Sequence, residues 1–265
     1  MSNNQKYALI TGATSGIGYE LAKLFAKDQY NLIIVARSAE ELSTTARSLM
    51  SQYSVKVITL AKDLSIKEKP FEVYNEVRTM GIHIDVLVNN AGQGQYGEFI
   101  HTDINRELEI IQLNIGAYVV LTKCFLQDMV ANKKGKILNV ASIASKLPGP
   151  LQSVYHGTKA FVHSFNEAIR AEIKDSGVTL TSLLPGATAT DFFNKAEMEN
   201  SKIVQDGNLA DPADVAKDGY YALMSGKDMI ISGVKNKIQV GISNVIPDSI
   251  VAENMLKQQA SASPK

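Results

Sequence analysis

Tyr155 and Lys159 stand four residues apart in the run Tyr155-His156-Gly157-Thr158-Lys159, and Ser142 lies shortly upstream. On a helix, positions i and i+4 share a face, so a phenol and an ammonium would sit one turn apart. A phenol ordinarily titrates near ~10, which is about 4 kcal/mol from neutrality. A unit charge about 4 Å away, at an effective dielectric of about 20, supplies roughly that energy. Lys159 is therefore expected to bring Tyr155 toward neutral pH, where it can act as a general acid or base. An isolated pair at this spacing is most often a half-buried tyrosine covered by a lysine stem. The rest of the chain has to decide between the two.

The elements that would position the pair are legible as alternating strands and helices. Short β-branched or apolar runs at Tyr7–Thr11, Asn31–Ala36, Val55–Leu60, Val86–Asn89, Lys136–Val140 and Thr179–Leu184 read as buried strands. Helical patterns fill Gly16–Asp28, Ala39–Gln52, Pro70–Met80, Ile104–Val130 and Tyr155–Lys174. Such βαβ alternation predicts an α/β fold, a parallel sheet covered on both faces and wound doubly, in the Rossmann-like manner. One domain is expected over residues 1–265, with 228–258 a divergent C-terminal segment and 259–265 a frayed tail.

Composition narrows the partners. An apolar content of 45% is ample for one large core. Lys+Arg and Asp+Glu balance at 27 each, leaving no electrostatic footprint for nucleic acid or an anionic membrane. Cys124 is the only cysteine, which excludes an intrachain disulfide and a CxxC pair, and it reads as a small buried hydrophobe. No metal-ligand spacing links His83, His101, His156 and His163. There is no GxSxG elbow for a serine hydrolase. The start, Met1-Ser2-Asn3-Asn4-Gln5-Lys6, shows neither an apolar signal core nor a myristoylation glycine, and no apolar run is expected to span a bilayer. A cytoplasmic protein without a transmembrane segment is the expectation.

Chemistry concentrates where the strands end. Thr11-Gly12-Ala13-Thr14-Ser15-Gly16-Ile17-Gly18 joins the first strand to the first helix. Its glycines allow a tight turn and close approach of a pyrophosphate to the amides at the helix N-terminus, although the spacing is GxxxGxG and not GxGxxG. The second strand ends Val35-Ala36-Arg37-Ser38. An acid there would bind ribose hydroxyls, whereas Arg37 suits a 2′-phosphate, which favours NADP(H) while leaving NAD(H) possible. Asp63 and Leu64 follow the third strand, where the carboxylate can accept from an adenine amino group or cap the next segment. Asn89-Asn90-Ala91-Gly92 closes the fourth strand with small residues that let backbone pass close to a cofactor. Asn114 lies inside an apolar helical stretch and needs partners for its amide. Pro185-Gly186-Ala187-Thr188-Ala189-Thr190 ends the sixth strand. All of these fall at the carboxyl edge, where open α/β sheets bind ligands.

These motifs, in order and at these spacings from about Lys6 to about Met224, resemble the short-chain dehydrogenase/reductase family. Its TGxxxGIG corresponds to Thr11–Gly18, its NNAG to Asn89–Gly92, its YxxxK to Tyr155–Lys159 and its PGxxxT to Pro185–Thr190. The family's catalytic serine corresponds to Ser142 and its helix asparagine to Asn114. The resemblance implies that Ser142 polarises a substrate carbonyl and Tyr155 donates the proton, while Lys159 lowers the phenol's pKa and holds nicotinamide ribose. It also implies that Asn114 supports a proton relay, and that Thr188 and Thr190 orient the carboxamide and a phosphate. The expected activity is NADP(H)-dependent interconversion of a carbonyl and an alcohol on a small or medium, perhaps apolar, molecule. The competing reading is a cofactor-binding regulatory protein of the same fold with little turnover.

Two segments depart from the resemblance. The C-terminal region lacks the VDGG-like turn with which oligomeric members build a tetramer, so a tetramer is in doubt and a homodimer is possible. Ile238, Ile242, Val245 and Ile246, then Ile250, Val251 and Met255, recur at helical spacing. Such a stripe packs on its own domain, pairs with a twin subunit or meets a membrane surface. Gln93–Phe99, Ile143–Ser153 and Asp191–Asn208 are expected to line a pocket. Phe192, Phe193 and Met198 there suit either an apolar lid or an anchor.

Overall fold

The computed structural model describes residues 5–243 and 245–262. Seven strands form one parallel sheet: β1 (Tyr7–Thr11), β2 (Asn31–Ala36), β3 (Val57–Ala61), β4 (Val86–Asn89), β5 (Gly135–Val140), β6 (Val178–Leu184) and β7 (Met229–Ile231). Their spatial order is β3-β2-β1-β4-β5-β6-β7. The helices are α1 (Gly16–Lys27), α2 (Ala39–Tyr53), α3 (Lys69–Thr79), α4 (Ile104–Ile111), α5 (Ala117–Ala131), α6 (Ser153–Glu172), α7 (Phe192–Lys195), α8 (Lys202–Gln205), α9 (Pro212–Met224), α10 (Val234–Ser243) and α11 (Asp248–Gln259).

Side chains alternate across the sheet with period two, and register sorts them into two cores. Leu9 pairs with Ile33 and Leu87, and Leu87 with Ile137; this row faces α3 and α5. Their neighbours Ile10, Ile34, Val88 and Leu138 form the opposite row, packed against Leu21 and Phe25 of α1, Leu42 and Leu49 of α2, and Val215 and Tyr220 of α9. Being buried on both faces, the central strands read as continuous apolar runs, as a parallel sheet requires. The chain crosses from β3 to β4 past β1, so a crevice opens between the carboxyl ends of β1 and β4.

Several sequence readings need correction. The third strand starts two residues and ends one residue later than expected: β3 is an edge, half exposed, and Val55 turns into the core ahead of it. The long helix at 104–131 is one run whose middle turn, Gln112–Gly116, is a π-helix. That 28-residue run, with a mean hydropathy of 1.3 over its most apolar window, is long and apolar enough to cross a bilayer by length and composition. The expectation that no such run exists therefore fails. Here it serves as a core helix, with Leu113, Ala117, Leu121, Phe125 and Met129 laid on the sheet. Cys124, on α5, is half-buried and not fully enclosed.

The frayed-tail reading fails for residues 259–262; residues 263–265 lie outside the described residues. The Tyr96 hydroxyl donates to the Gln259 carbonyl at 2.5 Å. Lys202 N donates to Ala260 O (3.0 Å), and Ala262 N to Asn200 O (2.8 Å). The C-terminal apolar stripe divides. Val251 and Met255 of α11 close over Leu147, with Ile246 packed beside them. On α10, Val234, Ile238 and Ile242, with Val245 beyond it, face outward at 52–82% exposure.

Candidate active site

A cavity of about 840 Å³ runs along the carboxyl edge, from the β1–α1 turn to α11. Its first wall is the glycine turn. Gly12 (φ +64°) and Gly16 (φ +54°) adopt the left-handed conformation that glycine tolerates, and Gly12 N donates to Val35 O at 2.8 Å. A methyl at Gly18 would lie 2.2 Å from Gly12 O, so this glycine lets helix and turn touch. Gly18 is accordingly absent from the cavity lining, whereas Gly12, Thr14, Ser15, Gly16 and Ile17 belong to it. Ser15 caps α1 without a side-chain bond, and no acid occupies the helix's first turn. Its amides and the positive end of its dipole remain available to an anion.

The Asn90 side chain braces this turn. Its amide donates to Thr11 O (2.9 Å) and Gly12 O (3.1 Å), while Thr11 Oγ1 accepts from Asn90 N and Ala91 N. Asn90 also borders the cavity, so it braces the turn and lines the cleft at once. Gly92 leaves room beside both Asn114 Oδ1 and Lys159 Nζ, each 3.3 Å from where a methyl would stand. At the end of β2 the Arg37 side chain is exposed and borders the cleft. Lys62, nearby, is committed to Glu72 at 2.8 Å and to Glu76 at 2.5 Å. Asp63 Oδ1 accepts from Ser65 N (3.0 Å) and Ser65 Oγ (2.6 Å), so its carboxylate caps the following turn while lining the cleft beside Leu64.

Beyond the turn, four groups converge. Tyr155 and Lys159 lie on one face of α6, with Lys159 3% exposed. Lys159 Nζ donates to Val140 O at 3.0 Å and lies 5.8 Å from the centre of the Tyr155 ring. Ser142, following β5, accepts from Ala144 N at 3.0 Å and donates to Pro185 O at 3.4 Å, joining it to the Pro185–Thr190 segment. Asn114 sits fully buried in the π turn. Its amide donates to Gln93 O (2.8 Å) and Thr158 Oγ1 (3.0 Å), and its oxygen accepts from Gln93 N (3.0 Å). The extra residue of the π turn aims this amide at α6, a common use of such bulges. Thr188 Oγ1 donates to Gly186 O at 2.9 Å, and Thr190 packs on Gly16, its methyl 2.8 Å from where a Cβ there would stand.

The electrostatics differ from the sequence expectation. Burial pushes the Tyr155 phenol up to about 12, opposed by the Ser142 hydroxyl, and pushes the Lys159 ammonium down to about 8. The lysine is turned to a backbone carbonyl, and both groups lose hydration, so the ammonium does not carry the phenol toward neutrality. Tyr155 is a protonated phenol at neutral pH, which equips it as a proton donor. Beneath the site, Asn89 Nδ2 donates to Thr122 Oγ1 and Asn139 Oδ1, Asn139 to Asn166, and Asn166 to Ser182 Oγ. This buried chain of side chains ties β4, β5 and β6 to α5 and α6.

The outer wall comes from the segments expected to line a pocket. Phe192 stands against the Tyr155 ring at 5.0 Å between centres. Phe193 and Met198 anchor the segment in a small core with Ala196. Lid and anchor are thus different residues of one segment. Sequence reasoning did not single out Gln152 or Gln259, and named His156 only to set it aside as a metal ligand. His156 Nδ1 donates to Leu147 O (2.8 Å), leaving Nε2 to accept from Gln259 Nε2 (3.3 Å). Among the described residues no His/Cys/Asp/Glu group is arranged to hold a metal.

The glycine turn on a doubly wound sheet, with two hydroxyls and a lysine gathered beyond it, defines a dinucleotide-dependent oxidoreductase. Residues 6–201 match the family model described as short chain dehydrogenase, and the chain belongs to that family. It is 33% identical over 191 residues to the very-long-chain 3-oxoacyl-CoA reductase of Rattus norvegicus, covering 70% of this chain and 60% of the relative. It is 37% identical to very-long-chain 3-oxoacyl-CoA reductase-A of Danio rerio, covering 70% and 59%. The chain spans between about half and three fifths of the length of such curated relatives. A short-chain dehydrogenase from Sphingobium yanoikuyae, solved with NADPH, superposes with a TM-score of 0.81 at 26% identity, covering 91% of this chain and 96% of the other. The L-sorbose reductase of Gluconobacter frateurii, solved with NADPH and L-sorbose, gives 0.74 at 25% identity, covering 86% and 96%.

Proposed function

We propose that this protein is an NADPH-dependent reductase whose substrate is a 3-oxoacyl thioester. The observation that carries the reaction type is the meeting of Ser142, Tyr155 and Lys159 in one cavity with the glycine turn. The site fits a dinucleotide: the uncapped amides of α1 and the left-handed glycines would receive a pyrophosphate, and Arg37 would meet a 2′-phosphate. When bound, a reduced nicotinamide supplies the hydride. Ser142 then hydrogen-bonds the substrate carbonyl oxygen, and Tyr155 gives that oxygen its proton, so carbonyl becomes alcohol. Lys159, held by Val140 O, keeps a positive charge near the phenolate left behind, and Asn114 fixes the Gln93 and Thr158 groups around it. The relatives' names support the substrate class, and the apolar wall of Phe192 and Leu147 suits an acyl chain.

The test is NADPH consumption with a 3-oxoacyl thioester by wild type and Tyr155→Phe. Wild type should turn over. The variant should bind NADPH as before yet lose about 10²–10⁴-fold in kcat, the contribution of a general acid. A variant that retains turnover removes Tyr155 from the mechanism, and binding without turnover in wild type supports the regulatory alternative.

A further inference from the structure

Helix α10 is fastened to the fold along one face. Asn236 Nδ2 donates to Ser232 O at 2.6 Å and packs on Gly186, where a methyl would stand 2.4 Å from it. Val240 is buried, and Gln239 Nε2 lies 3.9 Å from Met255 Sδ. The opposite face carries Val234, Ile238 and Ile242, spaced four apart, and Val245, whose N–H bonds Ile242 O, extends the row. All four side chains stand in water, Ile238 at 57% and Ile242 at 52% exposure. Scattered single apolar residues are ordinary on a surface, but a contiguous row with a polar rim marks a place of contact.

The charges beside the row decide what it contacts. At about 100° of turn per residue, Lys235 and Lys237 project to opposite sides of it, and both are exposed. No acid lies on α10; Asp228 and Asp248, the next in the chain on either side, fall outside it. The chain as a whole is neutral, so this positive strip is local. An apolar row edged by lysines suits a helix lying in a lipid interface, its branched side chains among the acyl chains and its ammonium groups reaching back to the headgroups. A second copy of the chain fits it poorly. The face of a helix of this length covers roughly 15 Å by 10 Å, well short of the ~800 Å² per partner of a stable protein interface. Two-fold pairing would also bring the lysines of both copies together.

We infer that α10 is a membrane-docking helix whose partner is an anionic phospholipid surface, with Val234, Ile238, Ile242 and Val245 entering the lipid and Lys235 and Lys237 meeting its headgroups. This goes beyond the reaction proposed above and does not depend on it. Because Val234, Lys235 and Gln239 also border the cavity, docking sets one end of the cleft against the bilayer.

The experiment is co-sedimentation of the full chain with phosphatidylcholine vesicles, with and without phosphatidylserine. Wild type should bind the phosphatidylserine vesicles roughly 30-fold more tightly, two lysines contributing about fivefold each, and salt should erode the difference. Ile238→Gln with Ile242→Gln should weaken binding to both vesicles by about 10-fold or more. Its Tm and NADPH affinity should match wild type, since neither side chain is buried or borders the cavity. Lys235→Gln with Lys237→Gln should abolish the preference for phosphatidylserine and keep the weaker binding. Equal wild-type binding to both vesicles overturns the anionic partner. An isoleucine variant that binds like wild type overturns the role of α10. Absence of vesicle binding overturns the inference, and a dimer in sedimentation velocity that the isoleucine variant dissociates would make a second copy the occupant instead.

Discussion

Replacing Arg37 should separate the two nicotinamide cofactors. The guanidinium is exposed at the end of β2 and borders the cleft, while Lys62 is held by two glutamates. Its interaction with a phosphate must therefore be valued in a watery environment. A unit pair at about 4 Å is worth about 1 kcal/mol at a dielectric near 80, and a phosphate monoester carries a charge of about −1.5 to −2. The gain is then about 2 kcal/mol, or roughly 30-fold in Kd. Arg37→Ala should weaken NADPH by about that factor and leave NADH within threefold. Arg37→Glu should exceed it, since Glu41 already borders the same end of the cleft. The assay is nicotinamide fluorescence titration at two ionic strengths, and the wild-type preference for NADPH should shrink as salt rises. Equal loss of affinity for both cofactors, or equal wild-type affinity for both, refutes the reasoning.

Three further outcomes follow from the geometry. Because Tyr155 is pushed up to about 12 and Lys159 down to about 8, kcat/KM for reduction should be flat near neutrality and decline above pH 8 as the ammonium is lost. A profile level to pH 9.5 contradicts this. Gly18→Ala should cost about 1–3 kcal/mol, read as a lower Tm, since its methyl meets Gly12 O and not a movable side chain. Gly157→Ala, with nothing within 4 Å, should instead stabilise by about 0.5–1 kcal/mol; loss in both would contradict the contact argument. Burial holds the His156 pKa below its ordinary value, against the pull of its bond to Leu147 O. Its contribution to stability is thus complete above the ordinary histidine range and lost as pH falls below it. His156→Gln should have a flatter Tm profile between pH 7 and 5, and identical profiles would exclude the histidine.

The sheet was legible because its strands are buried on both faces: Leu32–Val35 and Val86–Val88 are continuous apolar runs with nothing polar to confuse their limits. At the edges that signal fades. β3 shows a mixed, half-exposed surface, and β7 is three residues long, too short for any periodicity. The chemical residues were legible where spacing carried them, as for Tyr155 and Lys159, or where cost did, as for Asn114 in an apolar stretch. The phenol's protonation was misjudged because a charge at 4 Å was assumed, whereas the ammonium bonds a carbonyl and both groups lie out of water.

The tie between Gln259 and the site has a consequence in time. The glycine turn, Ser142 and the Tyr155–Lys159 helix are all encoded before residue 175, whereas the partner that holds His156 lies 103 positions after it and the partner of Tyr96 lies 163 positions after that tyrosine. At a synthesis rate of ~5–20 residues per second, Gln259 follows residue 175 by roughly 4–17 s, and β6, the Pro185–Thr190 segment and α9 are made in that interval. During that interval Leu147 lacks its cover of Val251 and Met255. The bond between Gln259 and His156 is thus among the last parts of the cleft to be synthesised, after every strand of the sheet.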